Sequence, residues 1–204
     1  MLNKIARITL LMFLSLNISK AQDDFSDDSE SQSTLTINDT SITKFEKNEI
    51  INKVFGNSIQ NSFKSFDLSK KNENGLKGCS ISNNGYEHEF GCIHKREIYI
   101  DKDKNCLKGI DHIFKAKDGY PIRYDFRFHL DPRLNVVKTM SGNSALIQIS
   151  KNKSLLFTIN DENLEIDKSI FLGEKKVIDS TCISISGNLV NKNKTIHWEI
   201  KKKI

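Results

Sequence analysis

The fold is decided by residues 122–130, which read IRYDFRFHL. Every second residue is apolar, and the residues between them are charged or polar. Side chains of a β-strand point alternately to the two faces of a sheet, so this pattern predicts a strand with one buried and one charged face. Pro121 and Pro132 flank it, where a missing N–H does least harm to a strand ladder. The charged row consists of Arg123, Asp125, Arg127, His129 and Asp131.

Shorter strand patterns recur on both sides of this segment. The run 101–105 resembles the start of a calcium loop, but Cys106 stands where that loop needs glycine and His112 where it needs a carboxylate. A hairpin turn is therefore the better interpretation. Predicted strands lie at 33–39, 92–101, 107–114, 145–149, 155–159, 164–171, 177–186 and 195–201.

The spacing of these strands predicts the fold class. Asp118 and Gly119 indicate a turn before residue 122, and residues 150–153 form the polar tip of a hairpin. The pattern of residues 45–66 fits either a helix or an irregular loop. No helix is predicted after residue 70. Several short strands at close spacing predict an all-β antiparallel β-sandwich, similar to a supersandwich.

Composition restricts the classes of partner. The chain has 204 residues, of which 37% are apolar and 28% charged, as in ordinary globular proteins. Without the three basic residues of segment 1–21, 28 basic residues face 26 acidic ones, a net charge of +2. The lysines are scattered, so nucleic acid is not an expected partner.

The N-terminal segment resembles an export signal. Residues 1–7 carry two positive charges, residues 8–18 are mainly apolar, and Ser19 and Ala21 offer small side chains to a signal peptidase. A core strand or helix with similar flanks is the alternative. We expect a signal peptide at 1–21, a disordered acidic linker at 22–32 and one domain at 33–204. The mature chain would then be periplasmic or in the cell envelope, without a membrane anchor.

The four cysteines leave two interpretations open. In an exported chain they could pair in three ways that the sequence does not rank, or they could be buried thiols. None belongs to a C-x-x-C motif, which excludes a zinc ribbon or a thioredoxin-like site. They are Cys79, Cys92, Cys106 and Cys182.

Two groups of side chains are candidates for a site. A metal could be ligated by His94 and Asp111 together with His88 and His129. Structural histidines are favoured, because the spacing matches no zinc pattern. Arg123, Arg127 and His129 share one face of the 122–130 strand. Guanidinium groups bind carboxylates and sulfates, so this row would suit an acidic sugar, although a solvated, salt-bridged face is favoured because Asp125 lies between the arginines. No catalytic constellation emerges, and no cofactor is predicted.

Four motifs then resemble one family. The segments STLTINDTSITKF (33–45), NNGYEHEFGCIHKREIYI (83–100), LKGIDHIF (107–114) and FRFHLDP (126–132) resemble, in order and spacing, the C-terminal portion of heparinase II/III-like proteins. The resemblance implies an antiparallel β-sandwich that follows an α/α toroid. It also implies a polysaccharide lyase, in which a base removes the C5 proton of a uronic acid.

The chain departs from the family pattern at two histidines. Gln32 replaces the histidine that heads the H-S-T-L motif, and Asn83 replaces that of H-D-G-Y. The toroid, which carries most catalytic groups, has no counterpart in this sequence, so enzymatic activity stays open. The resemblance adds Arg96 and Tyr86 to the candidate contacts.

We therefore expect a detached β-sandwich domain of a heparinase II/III-like lyase. It would bind acidic, uronate-containing polysaccharide or support its cleavage, would be inactive alone, and could act with a separate toroid polypeptide. An exported, non-catalytic glycan-binding or structural sandwich is the alternative.

Overall fold

The computed structural model describes residues 34–40, 44–45, 59–61, 65–73, 76–115, 121–160, 162–172, 177–190 and 193–203. Within these ranges the chain forms strands and one short helix, α1 (Glu87–Phe90). The strands are β1 (Leu35–Ile37), β2 (Lys44–Phe45), β3 (Ile59–Asn61), β4 (Ser65–Glu73), β5 (Leu76–Asn83), β6 (Cys92–Asp101), β7 (Cys106–Lys115), β8 (Ile122–His129), β9 (Asn135–Lys138), β10 (Ser144–Ser150), β11 (Lys153–Ile159), β12 (Glu165–Leu172), β13 (Val177–Leu189) and β14 (Lys194–Lys203).

Two antiparallel sheets pack face to face. The smaller sheet has four strands in the order β1-β8-β13-β12, and the larger has eight in the order β4-β5-β6-β7-β14-β11-β10-β9. β2 and β3 form a separate antiparallel pair. This arrangement confirms the predicted antiparallel β-sandwich.

The core lies between the sheets and is built by alternation. On β8 and just after it, the apolar row Ile122, Tyr124, Phe126, Phe128 and Leu130 is buried in one hydrophobic cluster. On β14 the alternating Ile196, Trp198 and Ile200 meet it from the larger sheet. The aromatic rings interlock across the gap, with the Phe128 centroid 5.0 Å from that of Phe157 and 5.3 Å from that of Trp198.

Most predicted strands are confirmed, and the differences have local causes. β5 is absent from the prediction because Ser80 and Ser82, rather than apolar residues, occupy buried positions. β9 is a short edge strand with weak alternation. The expectation of no helix after residue 70 is wrong, because the chain forms the one-turn helix α1. Gly91 caps its C-terminal end with a left-handed φ of 64°.

Some predictions fall outside the described residues. These are the signal segment 1–21, the linker 22–32, most of the helix-or-loop segment 45–66 and the turn at 118–119. All four cysteines are within the description and are free thiols, Cys79 exposed and the others buried. No described helix is long and apolar enough to cross a bilayer.

Candidate functional site

A buried carboxylate, Asp111 on β7, organises the inner face of the larger sheet. Its side chain is 1% exposed. Oδ1 accepts hydrogen bonds from His94 Nε2 at 2.7 Å and Arg96 Nε at 2.6 Å, and Oδ2 accepts one from Trp198 Nε1 at 2.8 Å. Buried charges require such partners, because an unsatisfied carboxylate would lose its hydration without replacement.

Strand register brings these donors together. His94 and Arg96 are two residues apart on β6 and therefore face the same side, and Arg96 is the cross-strand partner of Asp111. On the other side of β7, Trp198 of β14 is the partner of Gly109. Asp111 thus draws donors from both neighbouring strands.

Gly109 makes room for the indole. A Cβ at this position would lie 2.0 Å from Cε2 and Cζ2 of Trp198, so any side chain would displace the ring. The glycine lets the indole lie against β7, with its N–H directed at Asp111. In the L-K-G-x-D segment, two successive inward-facing residues therefore serve Trp198: Gly109 leaves room for its ring, and Asp111 accepts its N–H.

The cluster also contacts the smaller sheet. The Arg96 guanidinium lies 5.4 Å from the centroid of the Phe128 ring, a cation–π contact. The His94 ring centroid lies 5.7 Å from that of Phe126. Because both phenylalanines belong to β8, the polar cluster is part of the interface between the two sheets.

Burial and charge set the protonation states. Burial alone would raise the pKa of Asp111, but the Arg96 charge and the hydrogen bonds from His94 and Arg96 outweigh it and hold that pKa well below its usual range. Burial lowers the pKa of His94 despite the nearby Asp111 carboxylate. His94 is therefore a neutral imidazole at pH 7, with its Nε2–H donated to Asp111.

This geometry favours a structural role for His94 and Asp111 over metal ligation. Both carboxylate oxygens of Asp111 already accept hydrogen bonds. His88, another histidine considered with them, is exposed on α1. Within the described part of the chain, no group of three or more His, Cys, Asp or Glu side chains is placed to hold an ion.

The charged face of β8 is more enclosed than expected. Asp125 is 3% exposed and accepts hydrogen bonds from Arg127 Nε at 2.7 Å and Ser186 Oγ at 3.1 Å. His129 is buried, with Nδ1 2.5 Å from Ser169 Oγ. In this row Arg123 alone is largely exposed, at 54% of its side chain. The row is salt-bridged as predicted, but the expectation that it is solvated is wrong, because side chains from β12 and β13 enclose it.

The remaining candidate contacts lie in the interior. The Tyr86 hydroxyl is within hydrogen-bonding distance of the carbonyl oxygens of Leu35 (2.6 Å) and Thr40 (3.0 Å), and burial raises its pKa. Arg96 is committed to Asp111. Both side chains connect parts of the sandwich, and neither is presented to an external ligand.

Trp198 is the site residue that sequence reasoning does not find. The alternation of β14 places it only on an apolar face, although it is the single tryptophan of the chain. Its partner Asp111 is 87 residues away, and only strand order makes them neighbours. Gly109, an inward glycine within a strand pattern, is the available signal.

The comparisons with known proteins agree with this architecture. The family model described as "Heparinase II/III-like, C-terminal" matches residues 16–199. The chain belongs to this heparinase II/III-like C-terminal family. No curated protein sequence matches it.

Three solved structures are similar to this heparinase II/III-like domain. Heparan sulfate lyase HepC from Pedobacter heparinus has a TM-score of 0.63 at 13% identity, over 85% of this chain and 24% of that one. A heparinase III gene product has a TM-score of 0.60 at 10% identity, over 84% of this chain and 24% of that one. Another heparinase III structure has a TM-score of 0.56 at 13% identity, over 83% of this chain and 23% of that one. At these identities the likeness shows the fold, and the chain spans about a quarter of the length of HepC.

We expect Asp111→Asn to destabilise the domain by about 3–5 kcal/mol, because it leaves the Arg96 charge buried without its counter-ion. The free energy of unfolding, measured by urea denaturation, checks this. The matched control is Asp131→Asn, whose partner Arg133 is 87% exposed and whose loss should cost less than about 1 kcal/mol. Equal losses in the two variants would contradict the role of the cluster.

We expect stability to fall on acidification from pH 7.5 to 5. The folded-state pKa of His94 is lowered, so its contribution is present above about pH 6.5, the unfolded value, and is lost as pH falls. Asp111, with its lowered pKa, contributes in the same direction at more acidic pH. His94→Gln should reduce the pH dependence of the urea midpoint in this interval, whereas His88→Gln at an exposed position should not. Identical pH profiles for wild type and His94→Gln would refute the assignment.

Proposed function

We propose that this chain is a glycan-binding β-sandwich domain whose ligands are acidic, uronate-containing polysaccharides. The observation that carries the proposal is the match of the family model over residues 16–199. The structural neighbour HepC is a heparan sulfate lyase, and heparan sulfate is a polysaccharide of this acidic class.

The contact row would be the outer face of β8. Arg123 is exposed at its start, and its guanidinium Nη1 lies 3.4 Å from Asp39 Oδ2. Arg127 keeps 24% of its side chain accessible beside Asp125. Guanidinium groups recognise carboxylate and sulfate through paired N–H donors, so these two arginines are the strongest candidates, with His129 buried at the end of the row.

The domain would support cleavage rather than perform it. Proton abstraction needs a base within reach of the substrate and with a suitable pKa. His94 is buried with its Nε2–H committed to Asp111, and Tyr86 is enclosed with a raised pKa. Neither of these two side chains is accessible as a base for elimination, so the base would come from elsewhere, for example from an α/α toroid in the same or another polypeptide.

A non-catalytic structural protein is the second candidate. The enclosure of Asp125, which is hydrogen-bonded to Arg127 and Ser186, favours it. In that case the β8 row stabilises the smaller sheet and has no external ligand.

We expect Arg127→Ala to weaken binding of heparan sulfate about tenfold at low salt, equivalent to about 1.4 kcal/mol. Calorimetry with the folded variant measures this, and circular dichroism verifies that it is folded. Arg133→Ala removes an exposed arginine elsewhere and should change the affinity little. The wild-type chain should bind without forming unsaturated product, followed by absorbance. Turnover by the chain alone, or unchanged affinity in Arg127→Ala, would reject this part of the proposal.

We also propose export to the periplasm or cell envelope, supported by the order of basic, apolar and small residues in segment 1–21. An intact mass spectrum of the protein from its native host should show a chain that begins at Gln22. A mass that retains segment 1–21 would disprove cleavage at this position.

A further inference from the structure

A depression with a volume of about 360 Å³ opens on the outer face of the eight-stranded sheet. It lies on the opposite side of β7 from Asp111, because Lys108 and Ile110 alternate with Gly109 and Asp111 along that strand. Tyr99, Lys108 and Glu199 are successive cross-strand neighbours in one row of its wall.

A second row, one step along the strands, completes the depression. Ile110 of β7 is the partner of His197 of β14. Asn160, directly after β11, donates its backbone N–H to the carbonyl oxygen of His197 at 3.1 Å, which holds the two residues beside each other. His197 and Asn160 are both exposed. Leu76 of β5 adds an apolar wall.

The polar groups of the depression include the carboxylate of Glu199, which is part of its wall. Glu199 pairs through Oε2 with Lys201 at 2.8 Å, whereas its Oε1 is buried and has no hydrogen-bond partner in the described part of the chain. Burial would raise the pKa of Glu199, but hydrogen bonds from Lys201 and from the Cys106 thiol, a weak donor, hold that pKa below its usual value. The Glu199 side chain is 24% exposed. A carboxylate oxygen accepts more than one hydrogen bond, so Oε2 can also accept one from a ligand hydroxyl.

The charge balance decides which chemistry fits. Lys108 is matched by Asp101 at 3.4 Å, and Glu199 by Lys201, so the depression offers no excess positive charge to a sulfate or carboxylate. Among the described residues it lacks the three ligating side chains that a metal needs. Carboxylate, amide, imidazole and ammonium groups beside two aliphatic walls instead match a ligand that donates and accepts hydrogen bonds and carries an apolar C–H face.

We propose that this depression is a binding site for an uncharged sugar unit, whose hydroxyl groups contact Glu199, Asn160, His197 and Lys108. One hydroxyl donates to Glu199 Oε2, and neighbouring hydroxyls accept from Lys108 and from the Asn160 amide. The sugar ring packs on Ile110 and Leu76. The choice of a sugar among polyhydroxylated ligands rests on the proposed glycan function, but this site is separate from the β8 arginines and on the other sheet.

The experiment compares two ligands that differ only in charge. One is an unsulfated tetrasaccharide of alternating glucuronic acid and N-acetylglucosamine, and the other is the same tetrasaccharide with its carboxyl groups reduced to alcohols. Amide chemical shifts of the full chain locate each ligand, and titration gives its affinity. The reduced tetrasaccharide should shift the amides around Lys108, Ile110, His197 and Glu199.

Three variants test the contacts. Asn160→Ala, His197→Ala and Glu199→Gln should each weaken binding of the reduced tetrasaccharide about three- to tenfold, the range expected for one lost hydrogen bond. Asn135→Ala, an exposed asparagine on the edge strand β9, is the matched control and should leave the affinity unchanged.

Absence of shifts in the depression, or affinity that none of the three variants changes, would overturn the inference. Binding of the acidic tetrasaccharide at β8 is measured separately and tests the proposed function of the arginine row independently. Conversely, the reduced ligand could bind in the depression while acidic glycans do not bind at β8. That result would support the inference and would contradict the proposed function of the arginine row.

Discussion

The fold depends on one constraint, the compensation of the Asp111 charge inside the sandwich. A carboxylate withdrawn from water is tolerated only with directed donors, and here they come from β6 on one side and β14 on the other. A slip of either strand by one residue would turn its donor to the opposite face. The cluster therefore fixes the register of three central strands, and through Arg96 over Phe128 it also fixes how the larger sheet meets the smaller one.

The two outer faces of the sandwich differ in a way that bears on function. On the smaller sheet, polar residues of β8 and β13 are bonded to one another, as Arg127 and Ser186 are to Asp125, and are largely enclosed. On the larger sheet, polar residues of β7 and β14, among them Lys108, His197 and Glu199, border an open depression. The first arrangement limits access to the polar groups, whereas the second leaves polar side chains accessible.

The fold and the function of the chain rest on different observations. Structural neighbours share the sandwich fold at only 10–13% sequence identity. Function has to be argued from individual sites, because one architecture can carry many activities. Here His94 and Asp111, which the sequence offers as metal-ligand candidates, are buried and hydrogen-bonded to each other between the two sheets.

The sequence by itself determined most of the strands, because period-two alternation in segments such as 122–130 and 195–201 is a local property of the chain. It did not reveal β5, where Ser80 and Ser82 take buried positions and the alternation of polarity disappears. Tertiary structure alone decided the site: Trp198 reaches Asp111 across 87 residues of sequence, and the β8 row is enclosed by strands that follow it much later. Strand order and sheet packing are non-local, so no pattern within one segment could encode which polar residues would be buried and which would be left open to a ligand.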